Sequence, residues 1–255
     1  MKNKKIVMIT GATSGIGKAS AKKFAENNYD IIITGRRNER LNELASKLKQ
    51  EFNTDVLCLN FDVRNLKDVN KNLELLKGKW ENIDVLVNNA GLSLSLKPIQ
   101  SGLIEEWDQM IDTNVKGLLY VTRFIAPMMI ARKKGHIINI GSIAGKDVYQ
   151  NGNIYCATKF AVDALSRAMR IDMLPHGIKV TSLHPGAADT EFSLVRFGGD
   201  KQAADNVYKG WKPLVGEDVA ELIYYVTSLP DHVNINDVVI TATAQANSIY
   251  LNKEG

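Results

Sequence analysis

The sequence predicts an α/β fold, a doubly wound parallel sheet with helices on both faces, and three observations carry that expectation. Apolar, β-branched runs alternate with helical patterns from the first residues to the last. Most of these runs are continuous rather than alternating, as in strands buried on both faces. The first run also feeds a glycine-rich turn that opens a helix, which is where open α/β sheets bind ligands.

The elements follow in order. Strands are expected at 5–10 (KIVMIT), 30–35 (DIIITG), 55–60 (DVLCLN), 84–88 (DVLVN), 136–140 (HIINI), 179–183 (KVTSL) and 237–240 (DVVI). A helical pattern over 18–27 follows the first strand. After the second, Leu41, Leu44, Ala45 and Leu48 share one helical face, with Glu39, Glu43, Lys47 and Lys49 opposite. A helix over 157–173 ends at the stop Pro175-His176-Gly177. The least regular stretch, 186–213, is broken by Gly198-Gly199 and Gly210, and a connection of that length inside a compact domain suits a lid.

The chain has 255 residues, 45% hydrophobic and 24% charged, with no linker or composition shift, so one domain over 1–255 is expected. The charge balance of 32 basic against 28 acidic residues leaves +4, dispersed in ones and twos, which argues against a nucleic-acid face. No stretch approaches the roughly 18 apolar residues of a membrane span. Behind the basic run Met1–Lys5 the apolar run 6–9 is too short for a signal-peptide core. Cys58 and Cys156 form no CxxC pair, which fits a reducing compartment, and a cytoplasmic protein is expected.

The turn Thr10-Gly11-Ala12-Thr13-Ser14-Gly15-Ile16-Gly17 stands between strand and helix, where glycines let backbone N–H groups approach a pyrophosphate. The second strand ends at Gly35-Arg36-Arg37. Gly35 stands where an NAD site carries an acid for the ribose 2′-hydroxyl, and two guanidinium forks suit a 2′-phosphate, so NADP is expected over NAD. Cations at a helix start oppose its dipole, which makes these arginines odd without an anionic partner.

Tyr155 and Lys159 stand four apart on an expected helix, within about 6 Å of one another. An ammonium beside a phenol favours the phenolate and moves its pKa towards neutrality, so Tyr155 can exchange a proton with an alcohol or carbonyl oxygen. Ser142, at the end of the fifth strand, is placed to hydrogen-bond the same oxygen.

The glycine turn, Asn88-Asn89-Ala90-Gly91 after the fourth strand, and Ser142, Tyr155 and Lys159 resemble the short-chain dehydrogenase/reductase family over nearly the whole chain. The resemblance implies a Rossmann-type sheet, with Tyr155 as acid/base, Ser142 orienting the substrate oxygen, and Lys159 lowering the tyrosine pKa and binding the nicotinamide ribose. It implies that Asn114 holds a water in a proton relay, that Asp62-Val63 meets the adenine, and that Pro185-Gly186 and Thr190 cradle the nicotinamide carboxamide. Towards the C-terminus, 190–193 (TEFS), 195–198 (VRFG) and 229–236 (LPDHVNIN) are similar to NADP-dependent 3-hydroxy acid dehydrogenases. That similarity implies short hydroxy acids or their semialdehydes as substrates and a homotetramer. Two alternatives stay open: a reductase of generic aldehydes, ketones or 3-oxoacyl thioesters, and a non-catalytic nucleotide sensor.

A carboxylate substrate needs a cationic partner, and Arg196 in the irregular segment is the candidate, with Gln150 and Asn153 as polar candidates beside Tyr155. By resemblance Met128, Met129 and Ile130 are read as subunit interface, and the tail 241–255 as reaching a neighbour. The four histidines, His136, His176, His184 and His232, are isolated with no acidic partner at metal spacing, so no metal is expected. Ser142 lies in GSxxG rather than GxSxG, which argues against a hydrolase nucleophile, and Cys156 reads as packing.

Overall fold

Seven of the nine strands, in a computed structural model describing residues 4–253, form one parallel sheet. They are β1 (Ile6–Ile9), β2 (Asp30–Gly35), β3 (Val56–Asn60), β4 (Ile83–Asn88), β5 (His136–Ile140), β6 (Lys179–Pro185) and β9 (Asp237–Ile240). The other two, β7 (Ala188–Asp189) and β8 (Leu214–Val215), pair only with each other. The first three residues of the basic N-terminal run and the last two of the tail lie outside the described residues.

The order across the sheet is β3-β2-β1-β4-β5-β6-β9. Successive connections run outward from β1 to one side and outward from β4 to the other. The loops leaving these two strands therefore part, and the crevice at their carboxyl ends is where such sheets hold ligands.

Alternate side chains of each strand feed opposite layers. Val7, Ile9, Ile31, Ile33 and Ile138 pack with α1 (Gly15–Glu26), α2 (Asn38–Phe52) and α9 (Gly216–Ser228) through Phe24, Leu41, Leu48 and Ile223. Met8, Ile32, Leu86, Ile137 and Val180 face the other way, towards α3 (Leu66–Leu73), α5 (Leu118–Arg132) and α6 (Asn153–Met173). The continuous apolar runs of the sequence are the consequence of this double burial. Met129, read from the sequence as interface, is fully buried in this second layer, whereas Met128 and Ile130 are half-buried. Helical phase decides: Met129 falls one turn on from Ile125, on the face that α5 turns to the sheet.

A chain of buried amides crosses the second layer. Asn88 donates to Thr122 Oγ1 and to Asn139 Oδ1, both at 2.9 Å, and Asn139 donates to Ser166 Oγ at 3.0 Å. Between α4 (Ile104–Ile111) and α5 the helix widens into a π-helical stretch, Asp112–Gly117, that carries Asn114. Such widened turns collect at functional sites.

The irregular segment contains α7 (Glu191–Arg196) and α8 (Lys201–Asn206), joined through Gly198 and Gly199 at φ +62° and +95°. The β7–β8 ladder ties the two ends of this segment together, so it forms a flap. The tail folds back on the chain itself: Gln245 accepts a hydrogen bond from the Ala187 N–H at 2.9 Å. No helix among the described residues is long and apolar enough to cross a membrane.

Ile138 is fully buried in the middle of the sheet. Ile138→Ala is expected to cost about 2–5 kcal/mol of stability, read as a lowered denaturant midpoint at unchanged slope.

Candidate active site

The glycine turn after β1 is shaped by two conformational demands and one packing demand. Gly11 and Gly15 have φ of +67° and +50°, where a Cβ is strained. Gly17 has no room for one, since a Cβ there would lie 2.5 Å from both the Gly11 carbonyl oxygen and the Asn89 side chain. Asn89 donates its amide to the carbonyls of Thr10 at 2.8 Å and Gly11 at 3.1 Å, while the Asn89 and Ala90 N–H groups donate to Thr10 Oγ1. Ser14 places no side-chain cap on α1, so its first N–H groups are left for an anion.

These residues open on a cleft of about 560 Å³ along the carboxyl ends of the strands. Its lining includes Gly11, Thr13, Ser14, Gly15, Ile16, Arg36, Arg37, Asp62, Val63, Asn89, Ala90 and Gly91 at one end. Ser142, Tyr155, Lys159, Pro185, Gly186, Thr190 and Arg196 line the other. Gly17 and Asn114 stand behind the wall rather than in it. Asn114 exchanges hydrogen bonds of 2.8 Å with the Leu92 backbone and donates to Thr158 Oγ1 at 3.0 Å, pinning the loop after β4 to α6.

Gln150, expected near the substrate, is exposed and does not line the cleft. Its neighbour Tyr149 lines the cleft instead. Asn153 donates to the Lys97 carbonyl at 2.9 Å and has a structural part.

At the mouth, Arg37 donates to Thr13 Oγ1 at 2.7 and 3.0 Å, to Ser14 Oγ at 2.9 Å and to Glu191 at 2.7 Å. Arg40 donates to both oxygens of Glu191 at 2.6 and 2.9 Å. The anionic partner that Arg37 needed is thus, in this state, the first residue of α7, whereas Arg36 has Asp62 at 3.9 Å. Burial alone would push the Glu191 carboxyl up, but Arg37 and Arg40 hold it below the usual carboxylate range. Asp62 is likewise held low against its burial, by hydrogen bonds from Arg64 and the charge of Arg36.

At the inner end, α6 presents Tyr155 and Lys159 on one face, the ammonium 5.8 Å from the ring centroid and donating to the Ile140 carbonyl at 2.9 Å. Burial is the dominant effect on both. It lowers the Lys159 pKa to about 8 and raises that of Tyr155. The expected fall of the phenol pKa is therefore absent in this state, because removing the phenolate from water outweighs the neighbouring charges. The cation that opposes the rise is Arg196, helped by a hydrogen bond from Ser142. The Arg196 guanidinium lies 5.3 Å from the Tyr155 ring and 5.0 Å from that of Phe192, and it donates to the Tyr149 hydroxyl at 3.3 Å. Its Nε is buried without a partner, and no carboxylate among the described residues pairs with it.

His184 is not isolated: the fold brings Asp237 to 3.2 Å and Asp163 to 3.6 Å from its Nε2, with the Lys146 ammonium between the two carboxylates. Both cysteines are free, and burial raises their thiols.

The short chain dehydrogenase family model matches residues 5–196. The chain belongs to the short-chain dehydrogenase family. It is 46% identical over 242 residues to an NADP-dependent 3-hydroxy acid dehydrogenase of Salmonella typhi, covering 94% of this chain and 96% of that one. It is 44% identical over 246 residues to sulfoacetaldehyde reductase 2 of Chromohalobacter salexigens, covering 96% and 97%. A solved serine dehydrogenase, in its closed form with NADP+, superposes with a TM-score of 0.91 at 43% identity over 98% of this chain and 99% of that chain. For this short-chain dehydrogenase the cradle fits a dinucleotide: close backbone at the glycine turn, an uncapped helix start, and arginine forks where a 2′-phosphate would lie.

Sequence reasoning missed Glu191 and Tyr149. The acid in Thr190-Glu191-Phe192 was a visible sign for the first, and nothing local marked the second.

The Lys159 shift has a testable consequence. Below pH 8 the folded protein buries a charge that the unfolded chain keeps in water, and both forms are neutral above the usual lysine pKa of about 10.4. Lys159→Met is expected to stabilise the cofactor-free protein at pH 7 by roughly 3 kcal/mol, at ~1.4 kcal/mol per pKa unit. The gain should fade between pH 8 and about 10.5, read from denaturant melts across that range.

Proposed function

We propose that the protein is an NADP-dependent oxidoreductase that interconverts short 3-hydroxy acids, of the serine, L-allo-threonine, 3-hydroxypropionate or 3-hydroxyisobutyrate type, with the matching semialdehydes or 3-oxo acids. The observation that carries the substrate class is Arg196. A cation with an unpaired buried donor stands over the ring of Tyr155 in the cleft, with no carboxylate beside it among the described residues. A group placed this way is completed by a small anion, and a guanidinium takes a carboxylate in two-pronged fashion. The substrate's reacting carbon then lies a short distance from its carboxylate, as a β-hydroxyl requires. The 3-hydroxy acid and serine dehydrogenase names borne by its relatives support the same reading.

NADP, when bound, supplies the hydride acceptor or donor. Tyr155 takes the hydroxyl proton in oxidation and returns it in reduction. Ser142 hydrogen-bonds the reacting oxygen and keeps it in reach of the phenol. Arg196 supplies the positive charge that favours the phenolate, and Lys159, on the floor, offers a donor for the cofactor's nicotinamide ribose. Arg36, Arg37 and Arg40 hold the 2′-phosphate end, Asp62 and Val63 border the adenine, and Pro185, Gly186 and Thr190 border the carboxamide. Phe192 covers Tyr155 at a ring distance of 5.6 Å and keeps water from the reacting atoms. A generic ketone or a thioester would leave Arg196 without a partner, and a sensor would have no use for Tyr155. A sulfonate analogue suits the same guanidinium, and the similarity to a sulfoacetaldehyde reductase makes it the second substrate class to test. A homotetramer in the cytoplasm belongs to the same proposal. The exposed Ile104, Ile111, Phe160 and Ile171 on α4 and α6 are the apolar surface it would cover.

Two variants test the assignment. Tyr155→Phe is expected to abolish turnover while NADP+ binding, followed by calorimetry, changes less than about threefold; retained turnover would refute the acid/base role. Arg196→Ala is expected to raise KM for serine and 3-hydroxypropionate by about 10- to 100-fold, as loss of a charged hydrogen bond worth roughly 1.5–3 kcal/mol implies. An unchanged KM ends the clamp.

A further inference from the structure

Directly behind Ser142, on the side away from the cleft, a fully buried imidazole grips the turn that carries the serine. Ser142 leaves β5 extended and caps a short 3-10 turn, its hydroxyl accepting from the Ala144 N–H at 3.1 Å. Its carbonyl oxygen takes two donors. One is local, the Gly145 N–H at 2.8 Å. The other crosses from β6: His184 Nδ1 at 3.1 Å. Since a carbonyl can only accept, Nδ1 carries the hydrogen whatever the charge of the ring.

The imidazole also lies flat against Gly141, where a Cβ would come within 2.5 Å of Nδ1. The Gly141 N–H in turn donates to the Leu183 carbonyl at 2.7 Å. The residues leading into the serine are thus held against β6 by backbone and side chain together.

The other edge of the ring is anchored as well. Burial lowers the pKa of the imidazole, so Nε2 is the acceptor of a neutral ring and takes the Ser182 hydroxyl at 2.7 Å, with Asp237 Oδ2 a neighbour at 3.2 Å. Asp163 on α6 and Asp237 on β9 share the Lys146 ammonium at 3.1 and 2.7 Å, and Arg167 pairs with Asp163 at 2.8 Å. Two cations and two anions balance in this cluster. Lys146 directly follows the turn that Ser142 opens, so the same cluster fastens the turn at its far end.

We propose that His184 is a positioning residue for Ser142. By donating to the Ser142 carbonyl it sets where the serine hydroxyl meets the substrate oxygen, and it touches neither substrate nor cofactor. The proposal rests on the role of Ser142 given above. A displacement of about 1 Å at such a group is enough to cost on the order of 100-fold in rate.

Asparagine offers its amide NH2 close to where histidine carries Nδ1, whereas glutamine places its donor further out and leucine has none. With NADP+ and the best 3-hydroxy acid, His184→Leu and His184→Gln are expected to lose about 10- to 100-fold in kcat, with NADP+ Kd within about twofold. His184→Asn should stay within about threefold of the parent. In the cofactor-free protein, hydrogen exchange at the Ala144 and Gly145 amides should quicken in the leucine and glutamine variants and not in the asparagine variant. This readout needs no turnover.

Ser142→Ala separates the two claims. If His184 acts through the serine, His184→Gln should add less than about twofold in the Ser142→Ala background. A His184→Gln enzyme with full kcat beside a crippled Ser142→Ala overturns the His184 proposal alone, and so does an asparagine variant that falls as far as glutamine. A fully active Ser142→Ala overturns both readings.

Discussion

Thr10 and Asn89 join the carboxyl ends of β1 and β4 at the one place in the sheet where the connections part. A single hydroxyl accepts from two backbone N–H groups, and a single amide donates to two carbonyls. The parting of the loops would leave these buried strand ends with unsatisfied groups, which carry a cost comparable to lost hydrogen bonds. The interaction answers that need and in the same stroke sets the glycine turn beside the loop of Ala90 and Gly91. Gly17 must lack a side chain because Asn89 and the Gly11 carbonyl occupy its space. The start of α1, the floor at Gly91 and, through Asn114, the base of α6 all take their positions from this seam.

The inner end of the cleft carries two cations, and one of them, Lys159, is held out of water at a cost to its charge. Lys159 is buried with a carbonyl as its fixed partner, and Arg196 is capped by two aromatic rings and one hydroxyl. Neither has a carboxylate to neutralise it among the described residues. Both cations therefore border Tyr155 without an acid beside them, yet burial of the phenol outweighs the charge around it and keeps its pKa raised. Behind the serine the opposite arrangement holds, with Lys146, Asp163, Asp237 and Arg167 balanced around His184.

The flap ties the two ends of the cleft together. Glu191 opens α7 on Arg37 and Arg40, and Arg196 ends the same helix over Tyr155. Exposed ion pairs of this kind contribute little stability, roughly 0–1 kcal/mol each. Their consequence is geometric. One helix of six residues thus spans from the arginines at the mouth to the ring of Tyr155.

What could be read without the fold was whatever is written in local periodicity and spacing. Double burial of a parallel sheet forces continuous apolar strands, a strand-to-helix turn forces glycines at Gly11 and Gly15, and a helical pitch of 3.6 residues brings Tyr155 and Lys159 to one face. Those constraints act over a few residues, and the sheet, the cleft and the Tyr155–Lys159 pair were legible from them. Contacts between distant parts of the chain leave no such trace. Glu191 meets Arg37 across 154 positions, His184 meets Asp163 and Asp237 only once β6, β9 and α6 are packed, and Tyr149 rather than Gln150 faces the cleft. The phenol's pKa belongs to the same group. The spacing of Tyr155 and Lys159 promised a lowered value, but desolvation depends on everything that surrounds the ring, and only the tertiary structure supplies those neighbours.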